Sequence, residues 1–345
     1  MPLKEKTETA GKLERMKAVL AGHKNLLIVL QDFPDPDAIA AACAMKELAR
    51  VTCSLQSSMA CSGVVGRAEN RALVRYLGLN LLKLDEQDPD AYDLVAMVDT
   101  QPGTGNNSLP LNHMPDVVID HHPIRSTTRR APFFDIRSRY GSTSTIMYEY
   151  LVEEGITPEI PLATSLVYGI RSDTNDLGRD ATQADIDAFL ALYPVSNKRK
   201  LGRIETERLP REYFAILDLA LRNARCYGRC VVSRLEEIEN PDMIGEVADL
   251  LLRDEESTWA MCCGAHGGKL LVSIRTSEPD ANAGMVARRV AGRGGTGGGH
   301  SAMAGAQIPL SGSTATELTA AEKKATNRFL KILRVIDTRG TKLIR

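Results

Sequence analysis

The sequence has almost no net charge and few aromatic residues. Its 345 residues include 43 Lys and Arg against 44 Asp and Glu, which gives a formal net charge of −1, and Phe, Trp and Tyr make up 5%. A protein that coats nucleic acid non-specifically needs a large positive field, and a single-strand binder built on stacked bases needs many aromatic side chains. Both classes are therefore disfavoured, whereas a local pocket for phosphate is compatible with this composition.

Long apolar runs and cysteine motifs are also missing. No segment approaches the roughly 18 consecutive apolar residues of a membrane span, and the polar segment 1–15 lacks the apolar core of a secretory signal. The seven Cys are odd in number and include no CxxC pair. We interpret them as reduced thiols, mostly small buried side chains, and expect a cytoplasmic protein without membrane association.

What the sequence does contain is an alternation of apolar runs and helical patterns. Segments 26–30, 94–98 and 117–119 predict buried strands, and segment 38–49 predicts a helix. Such alternation indicates an α/β fold, with a mostly parallel N-terminal sheet carrying helices on both faces.

A second alternation follows a basic, polar segment at 196–211. We predict a catalytic, metal-binding domain over 1–195, a linker and helix over 196–225, and a smaller C-terminal α/β domain over 226–345 that ends in a basic helix. An amphipathic helix of this kind is more often a docking or dimer helix than a membrane anchor, so a homodimer is possible.

Acidic and histidine side chains follow four apolar segments, the three predicted strands and the apolar stretch 166–170. They are Asp35, Asp37, Asp99, Asp120, His121, His122 and Asp173. Taking all four segments as strand ends, we expect these side chains on one rim, because parallel strands end at the same edge of a sheet. So many carboxylates repel one another unless cations are present, and carboxylates mixed with imidazoles suit Mn²⁺ or Mg²⁺. Two such ions can activate water and neutralise phosphoryl oxygens, which predicts phosphate chemistry.

The same residues resemble a known family. Pro34-Asp35-Pro36-Asp37-Ala38, Asp99, Asp120-His121-His122 and Asp173-Thr174 are similar to the four motifs of the DHH phosphoesterases. Gly297-Gly298-Gly299-His300, preceded by Ser273-Ile274-Arg275, resembles the DHH-associated domain of nanoRNases, RecJ-like exonucleases and cyclic dinucleotide phosphodiesterases. The resemblance covers residues 26–310, and the size of the chain favours the nanoRNase-like branch, whose members also hydrolyse 3′-phosphoadenosine 5′-phosphate.

The resemblance implies a role for each motif residue. One metal ion would be held by Asp37, Asp99, His121 and Asp173, and a second by Asp35 and Asp99, with Asp99 bridging. Asp120 would orient its loop and His122 would face the substrate phosphate. In the second domain, Arg275 would clamp a phosphate, Gly297, Gly298 and Gly299 would let a nucleotide approach the backbone, and His300 would contact the terminal phosphate or sugar.

One position departs from the family pattern. The family places a His ligand of the second metal three residues before the first Pro of its first motif, and here that residue is Gln31. An amide oxygen is a weaker ligand than imidazole for Mn²⁺, so we expect one tight and one weak metal site. The neighbouring Asp32 is a possible substitute, although adjacent residues of a strand point to opposite faces.

These observations leave several functions open. The leading hypothesis is a metal-dependent phosphohydrolase acting on short oligonucleotides or small nucleotide phosphates. The alternatives are a cyclic dinucleotide phosphodiesterase and a nucleotide-binding regulatory protein with weakened catalysis. A family II pyrophosphatase shares the N-terminal motifs, but the GGGH segment argues against it.

Overall fold

The computed structural model describes residues 3–299, 301–312 and 314–344, with side chains from residue 8 onward. It divides the chain into two compact units, Met1–Glu207 and Arg208–Arg345. Both units combine sheets with helices, so the predicted α/β class is confirmed. Among the described residues, no helix is both long and apolar enough to cross a bilayer.

The first unit is built on a six-stranded, entirely parallel sheet. Its strands are β1 (Asn25–Val29), β2 (Gln56–Cys61), β3 (Leu81–Lys83), β4 (Leu94–Val98), β5 (Val117–Asp120) and β6 (Phe133–Ile136). Its helices are α1 (Leu3–Leu20), α2 (Pro36–Cys53), α3 (Ala68–Leu77), α4 (Thr143–Glu153), α5 (Ile160–Thr174), α6 (Gln183–Leu192) and α7 (Lys198–Glu205). The spatial order of the strands is β3-β2-β1-β4-β5-β6.

The two faces of this sheet are covered differently. The face containing Ile28 and Ala96 packs against apolar residues of α1 to α7, whereas the face containing Leu27 and Met97 packs against loop and 3-10 residues such as Leu109. This differs from the expectation of helices on both faces. Crossovers between parallel strands are right-handed, so the connections on the two sides of the strand-order reversal lie on opposite faces of the sheet. The connections after β4 and β5 contain no α-helix, and the face that they cover therefore lacks helices.

The second unit contains a seven-stranded mixed sheet. Its strands are β7 (Arg225–Tyr227), β8 (Cys230–Glu237), β9 (Trp259–His266), β10 (Lys269–Thr276), β11 (Thr296–Gly299), β12 (Met303–Pro309) and β13 (Thr341–Lys342), in the order β11-β12-β10-β9-β8-β7-β13. Its helices are α8 (Arg211–Asn223), α9 (Asp242–Leu251), α10 (Ala283–Ala291) and α11 (Ala315–Ile332). Among the described strands of this second sheet, only β8 and β9 pair in parallel. One face packs on α10 and α11, and the other packs on α8 and α9.

Three sequence expectations are corrected by the structure. The apolar stretch 166–170 lies inside α5 and is not a strand, because α5 is packed against several other helices and its buried residues lack the one-sided spacing of a surface helix. The segment 196–211 is not only a linker, since it contains α7, whose Leu201 and Ile204 are buried. The glycine run forms the edge strand β11.

The cysteines behave as small core residues. Cys61, Cys230, Cys262 and Cys263 are buried, the other three are partly buried, and all seven are free thiols. Because they alternate along β9, Cys262 and Cys263 belong to the apolar clusters on opposite faces of the sheet. Burial raises the pKa of both thiols, which keeps them protonated.

Candidate metal centre

The candidate centre lies beyond the carboxyl ends of β1, β4 and β5. The strand order reverses between β1 and β4, since the chain continues from β1 toward β2 on one side and from β4 toward β5 on the other. Gln31 follows β1, Asp99 follows β4 directly, and Asp120 is the last residue of β5. A reversal point of this kind opens a crevice outside the strand ends, which is where ligands bind in parallel α/β sheets.

Asp37 is held by the N-terminus of α4. It is the second residue of α2 and is completely buried. Its Oδ2 accepts a hydrogen bond from the Thr143 amide at 2.7 Å, and its Oδ1 accepts one from the Ser144 amide at 2.8 Å. The exposed amides of a helix N-terminus favour a negative charge, so α4 fixes the position of this carboxylate and opposes the rise in its pKa that burial causes.

The close approach of α5 to this point requires glycine. A Cβ on Gly169 would lie 2.4 Å from Ser144 Oγ and 3.1 Å from Asp37 Cα. The last turn of α5 carries Asp173, which therefore reaches the centre from a helix and not from a strand end as the sequence suggested.

Asp99 has a strained backbone at the centre of the cluster. It is completely buried and its φ angle of 60° lies in the left-handed region. Its amide donates to the Ile119 carbonyl at 2.9 Å, and its Oδ1 accepts from Thr143 Oγ1 at 2.8 Å. A left-handed residue other than glycine costs about 1–3 kcal/mol, so the surrounding structure holds Asp99 in a conformation that local preference opposes.

His121 presents a defined nitrogen to the carboxylates. Its Nδ1 lies 3.1 Å from the Tyr140 carbonyl oxygen, which can only accept, so Nδ1 carries a proton. Its Nε2 lies 3.2 Å from Asp173 Oδ2 and 3.6 Å from Asp99 Oδ1. One ligand atom from each of Asp37, His121 and Asp173 lies within 4.8 Å of the others. An imidazole with several carboxylates is a donor set for a divalent cation, so these residues fit one.

The pKa shifts of the clustered side chains also indicate a site for a cation. Loss of hydration, followed by the charge of Asp173, raises the pKa of Asp35 to about 7 and that of Asp37 to about 6. Burial and the charge of Asp37 raise the pKa of Asp99 well above its ordinary value. Burial disfavours the charged form of His121, but the hydrogen bond and charge of Asp173 outweigh it and raise its pKa to about 10. A bound cation would remove the repulsion that produces the carboxylate shifts.

Asp120 orients His122, and through one oxygen it also belongs to a second group of possible ligands, with Asp99, His121 and His122. Its Oδ1 lies 2.8 Å from His122 Nδ1 and also accepts from the His122 amide, and its Oδ2 accepts from Gln101 Nε2 at 2.7 Å. Burial would raise the pKa of Asp120, but the charge and hydrogen bond of His122 outweigh it and lower the pKa below its usual range. Asp120 therefore stays ionised and fixes the partly exposed imidazole of His122.

The residues predicted for a second metal are arranged differently. Asp35 Oδ1 accepts from the Ala38 amide as the N-terminal cap of α2, and its Oδ2 accepts from Gln31 Nε2, both at 2.9 Å. Asp32 Oδ2 accepts from Ser108 Oγ at 2.9 Å. Among the described residues, neither Asp32 nor Asp35 belongs to the groups of acidic and histidine side chains that could hold a metal ion.

The predicted substrate residues lie in the second unit. The buried Arg275 guanidinium donates to Asp249 and to Ser273 Oγ. A Cβ on Gly297 would lie 2.9 Å from the Ala287 backbone, so packing of β11 on α10 already requires this glycine. His300 lies outside the described residues. The phosphate-binding roles of Arg275, Gly297, Gly298, Gly299 and His300 stay predictions.

Several residues that shape the centre were missed by sequence reasoning. For Thr143 the only available signal was local, because Ser142 and Thr143 are residue types that favour a helix N-terminus. Gln101, Tyr140 and Asp185 gave no signal, because their contacts come from distant segments. Asp185, for example, accepts from the Gly141 amide and from Thr145 Oγ1, and so fixes the start of α4 against α6.

Two family models match the chain in succession. The DHH family N-terminal domain matches residues 25–170, and the DHHA1 domain matches residues 228–331. The chain contains a DHH family domain followed by a DHHA1 domain. This DHH protein thus has the two-part arrangement that its motifs predicted, and its candidate metal centre lies in the first of the two matched domains.

Relatives of this DHH protein are partly characterised. An uncharacterized protein of Methanocaldococcus jannaschii is 35% identical over 288 residues, which are 83% of this chain and 58% of that protein. A probable manganese-dependent inorganic pyrophosphatase of Enterococcus faecalis is 28% identical over 179 residues, which are 49% of this chain and 56% of the relative. The chain thus spans just over half the length of the curated relatives it matches.

The fold is also found in a solved structure. The crystal structure of an exopolyphosphatase-related protein from Bacteroides fragilis has a TM-score of 0.69 and 14% sequence identity, and the match covers 94% of this chain and 98% of that one. At this identity the similarity shows the fold alone.

Proposed function

We propose that this DHH protein is a metal-dependent phosphoesterase. The observation that carries the proposal is a cluster of possible metal ligands at the reversal point of the parallel sheet. One ligand atom from each of Asp37, His121 and Asp173 lies within 4.8 Å of the others, and His121 Nε2 also lies 3.6 Å from Asp99 Oδ1. The name of the Enterococcus faecalis relative supports manganese and phosphoryl chemistry.

The ligands would be Asp37, Asp99, His121 and Asp173, and Mn²⁺ is the proposed ion. When bound, the ion supplies an acidified water and positive charge that balances the phosphoryl oxygens. The chain contributes a fixed geometry: α4 holds the Asp37 carboxylate, and the Tyr140 carbonyl holds the His121 ring with Nε2 directed inward.

His122 is the side chain best placed to contact a phosphate. Its imidazole is 31% exposed, while the partner carboxylate of Asp120 is buried and ionised. A carboxylate on Nδ1 fixes the orientation of the ring, so that the imidazole can be presented to a phosphoryl oxygen. Asp120 is thus a positioning residue, and Gln101 holds it from the other side.

The substrate class that we propose is short oligoribonucleotides and small nucleotide phosphates, including 3′-phosphoadenosine 5′-phosphate. The support is the DHHA1 domain, which carries the glycine-rich strand and Arg275 and which follows the metal-binding domain in this chain. Cyclic dinucleotides remain the alternative substrate, and a nucleotide-binding regulatory protein remains the alternative class. The homodimer and the cytoplasmic location stay predictions.

A substrate panel tests the proposal. The chelator-treated full chain is assayed with a dinucleotide, 3′-phosphoadenosine 5′-phosphate, a cyclic dinucleotide and inorganic pyrophosphate, each with Mn²⁺, Mg²⁺ or Co²⁺. We expect metal-dependent hydrolysis of the first two, lost in Asp37→Asn and retained in Asp187→Asn, an exposed carboxylate on α6. Faster cleavage of pyrophosphate would overturn the substrate class, and no turnover of any compound would overturn the enzymatic assignment.

A further inference from the structure

The side chain of Gln31 has a defined orientation. Its amide nitrogen Nε2 lies 2.9 Å from Asp35 Oδ2 and 3.5 Å from Asp99 Oδ2, and its Oε1 accepts from Asn106 Nδ2 at 3.3 Å. The amide therefore presents N–H groups, and not its oxygen, to two carboxylates. Amide nitrogen and oxygen are assigned from the surrounding hydrogen bonds, so the assignment depends on what fixes Asn106.

A chain of donors and acceptors fixes Asn106. The Gln101 carbonyl can only accept, so the group 2.9 Å from it is the Asn107 Nδ2, which also donates to Thr100 Oγ1 at 2.9 Å. Thr100 then donates its own proton to Asn106 Oδ1 at 2.8 Å. With the Asn106 oxygen on Thr100, the Asn106 Nδ2 faces Gln31 Oε1, and the Gln31 Nε2 faces the carboxylates.

The loop that carries these residues is joined to the segment after β1. The Asp32 amide donates to the Asn106 carbonyl at 2.7 Å. Thr104 Oγ1 also lies within hydrogen-bond distance of the Asn106 side chain. The loop 100–107 is thereby fixed against Gln31 through both backbone and side chains, so the amide orientation is a property of the fold and not of one side chain alone.

The consequence for Asp35 is that both of its oxygens face N–H donors. The Ala38 amide donates to Oδ1, and the Gln31 amide donates to Oδ2. A cation and an N–H group repel each other at the same carboxylate lone pair. The geometry that would bind a second ion between Asp35 and Asp99 is thus occupied by a neutral donor.

We propose that Gln31, oriented by Asn106, replaces the second cation, so that this chain binds one divalent ion where its motifs predict two. Asn106 is then the residue that determines metal stoichiometry. This inference rests on the metal centre of the proposed function, and it does not depend on which substrate is hydrolysed or on whether hydrolysis occurs.

Reversal of the donor at position 106 tests the proposal. In Asn106→Asp the carboxylate can only accept, so Gln31 turns its Nε2 toward residue 106 and its Oε1 toward Asp35. In Asn106→Leu the orienting donor is lost without a change of charge. We expect one Mn²⁺ per chain in the wild type, and a second ion bound at least about tenfold more tightly in Asn106→Asp than in the wild type, with Asn106→Leu between them.

The readouts do not involve catalysis. Calorimetric titration and metal analysis after dialysis give the number of ions, and electron paramagnetic resonance distinguishes an isolated Mn²⁺ from a coupled pair. Ser108→Asp is the charge-matched control, because Ser108 is exposed on the same loop but contacts Asp32 and not Gln31. We expect it to retain one ion.

Each outcome decides the question. Two equally tight ions in the wild type would overturn the proposal, as would a second ion in Ser108→Asp to the same extent as in Asn106→Asp. If Asn106→Asp does not fold, the wild-type stoichiometry and Asn106→Leu remain decisive, and a single ion of unchanged affinity in Asn106→Leu would overturn the role of Asn106. A one-ion protein that cleaves no phosphate ester would refute the proposed function and leave this inference intact.

Discussion

Asp99 combines two unfavourable properties, which is typical of a residue retained for chemistry. Its backbone is left-handed, and its carboxylate is buried beside other carboxylates, which raises its pKa. Neither property stabilises the fold, because strain and unbalanced charge both cost free energy. A ligand that compensates the charge is the physical reason to keep an aspartate here.

Asp99→Asn removes the negative charge at position 99 without a side chain that opposes the left-handed backbone. Asn tolerates the left-handed region and retains an oxygen for Thr143, so the variant should fold. We expect kcat to fall more than tenfold, a loss of over about 1.4 kcal/mol, together with weaker Mn²⁺ binding. Without added metal the thermal midpoint should rise, because repulsion is relieved. Retention of more than about a tenth of the wild-type kcat would contradict a direct role of Asp99 in metal binding.

Arg275 offers a second test at the residue scale. If its guanidinium clamps a substrate phosphate, Arg275→Ala should raise KM with little change in kcat and leave the metal content unchanged. Asp249→Ala is the matched control, because it removes the partner that holds the same guanidinium. Equal changes of KM and thermal midpoint in both variants would mean that Arg275 only braces the second unit. Loss of metal from Arg275→Ala would show that the site is assigned wrongly.

Much of the centre could be predicted from single residues. Asp37, Asp99 and His121 were predicted as ligands because acids and imidazoles followed apolar strand patterns, and the structure places a nitrogen of His121 near Asp37 in one group of possible ligands and near Asp99 in another. The orientation of the Gln31 amide could not be predicted. It depends on Asn106 and Thr100, whose polar contacts arise only after β1 and β4 have paired.

At the scale of elements, the centre depends on how α2, α4 and α5 meet. The start of α4 supplies amides to Asp37 on α2, and α5 approaches both at Gly169. The three helices share one apolar cluster with the sheet, so core packing and ligand placement are coupled. A small displacement of α5 moves Asp173 relative to His121.

Gly169→Ala tests this coupling. The added Cβ would be 2.4 Å from Ser144 Oγ, and overpacking of this kind typically costs about 1–3 kcal/mol. We expect a lower free energy of unfolding and weaker Mn²⁺ binding. Gly202→Ala in α7 is the matched control: no heavy atom lies within 4 Å of its Cβ, so it should stabilise the protein by about 0.4–1 kcal/mol. Unchanged metal affinity in a destabilised Gly169→Ala would separate packing from ligand placement.

Short apolar runs bounded by turn-forming residues were predictable as strands, whereas an apolar stretch inside a longer buried helix was not. The strands β1, β4 and β5 and the helix α2 followed from their patterns, because turn-forming residues bound them. The apolar stretch within α5 was misread as a strand end, since a helix buried on all sides has no amphipathic spacing. The position of Asp173 at the centre was nevertheless predicted, because Asp173 follows the same apolar run whether that run is a strand or a helix.

For the whole molecule, the centre should couple proton binding, metal binding and stability. Burial raises the pKa of Asp37 from 3.8 to about 6, so the folded protein binds this proton more tightly than the unfolded chain. A raised carboxyl pKa makes stability fall as the pH rises from about 4 to about 6. The raised pKa of His121 acts in the same direction from about pH 6.5 to about pH 10, because the stabilising protonated form is lost as the pH increases.

A divalent cation should reverse this loss. At about pH 5 the ion must displace a proton from Asp37, and at about pH 8 that carboxylate is already ionised, so Mn²⁺ should bind at least about tenfold more tightly at the higher pH. The rise in thermal midpoint on adding Mn²⁺ to the chelator-treated chain should therefore be larger at about pH 8. Calorimetry and thermal melts at both pH values measure this, with Asp173→Asn as the variant in which the metal response is reduced at each pH. A Mn²⁺-induced shift that is the same at both pH values, or that survives in Asp173→Asn, would mean that the ion binds away from the Asp37, His121 and Asp173 cluster.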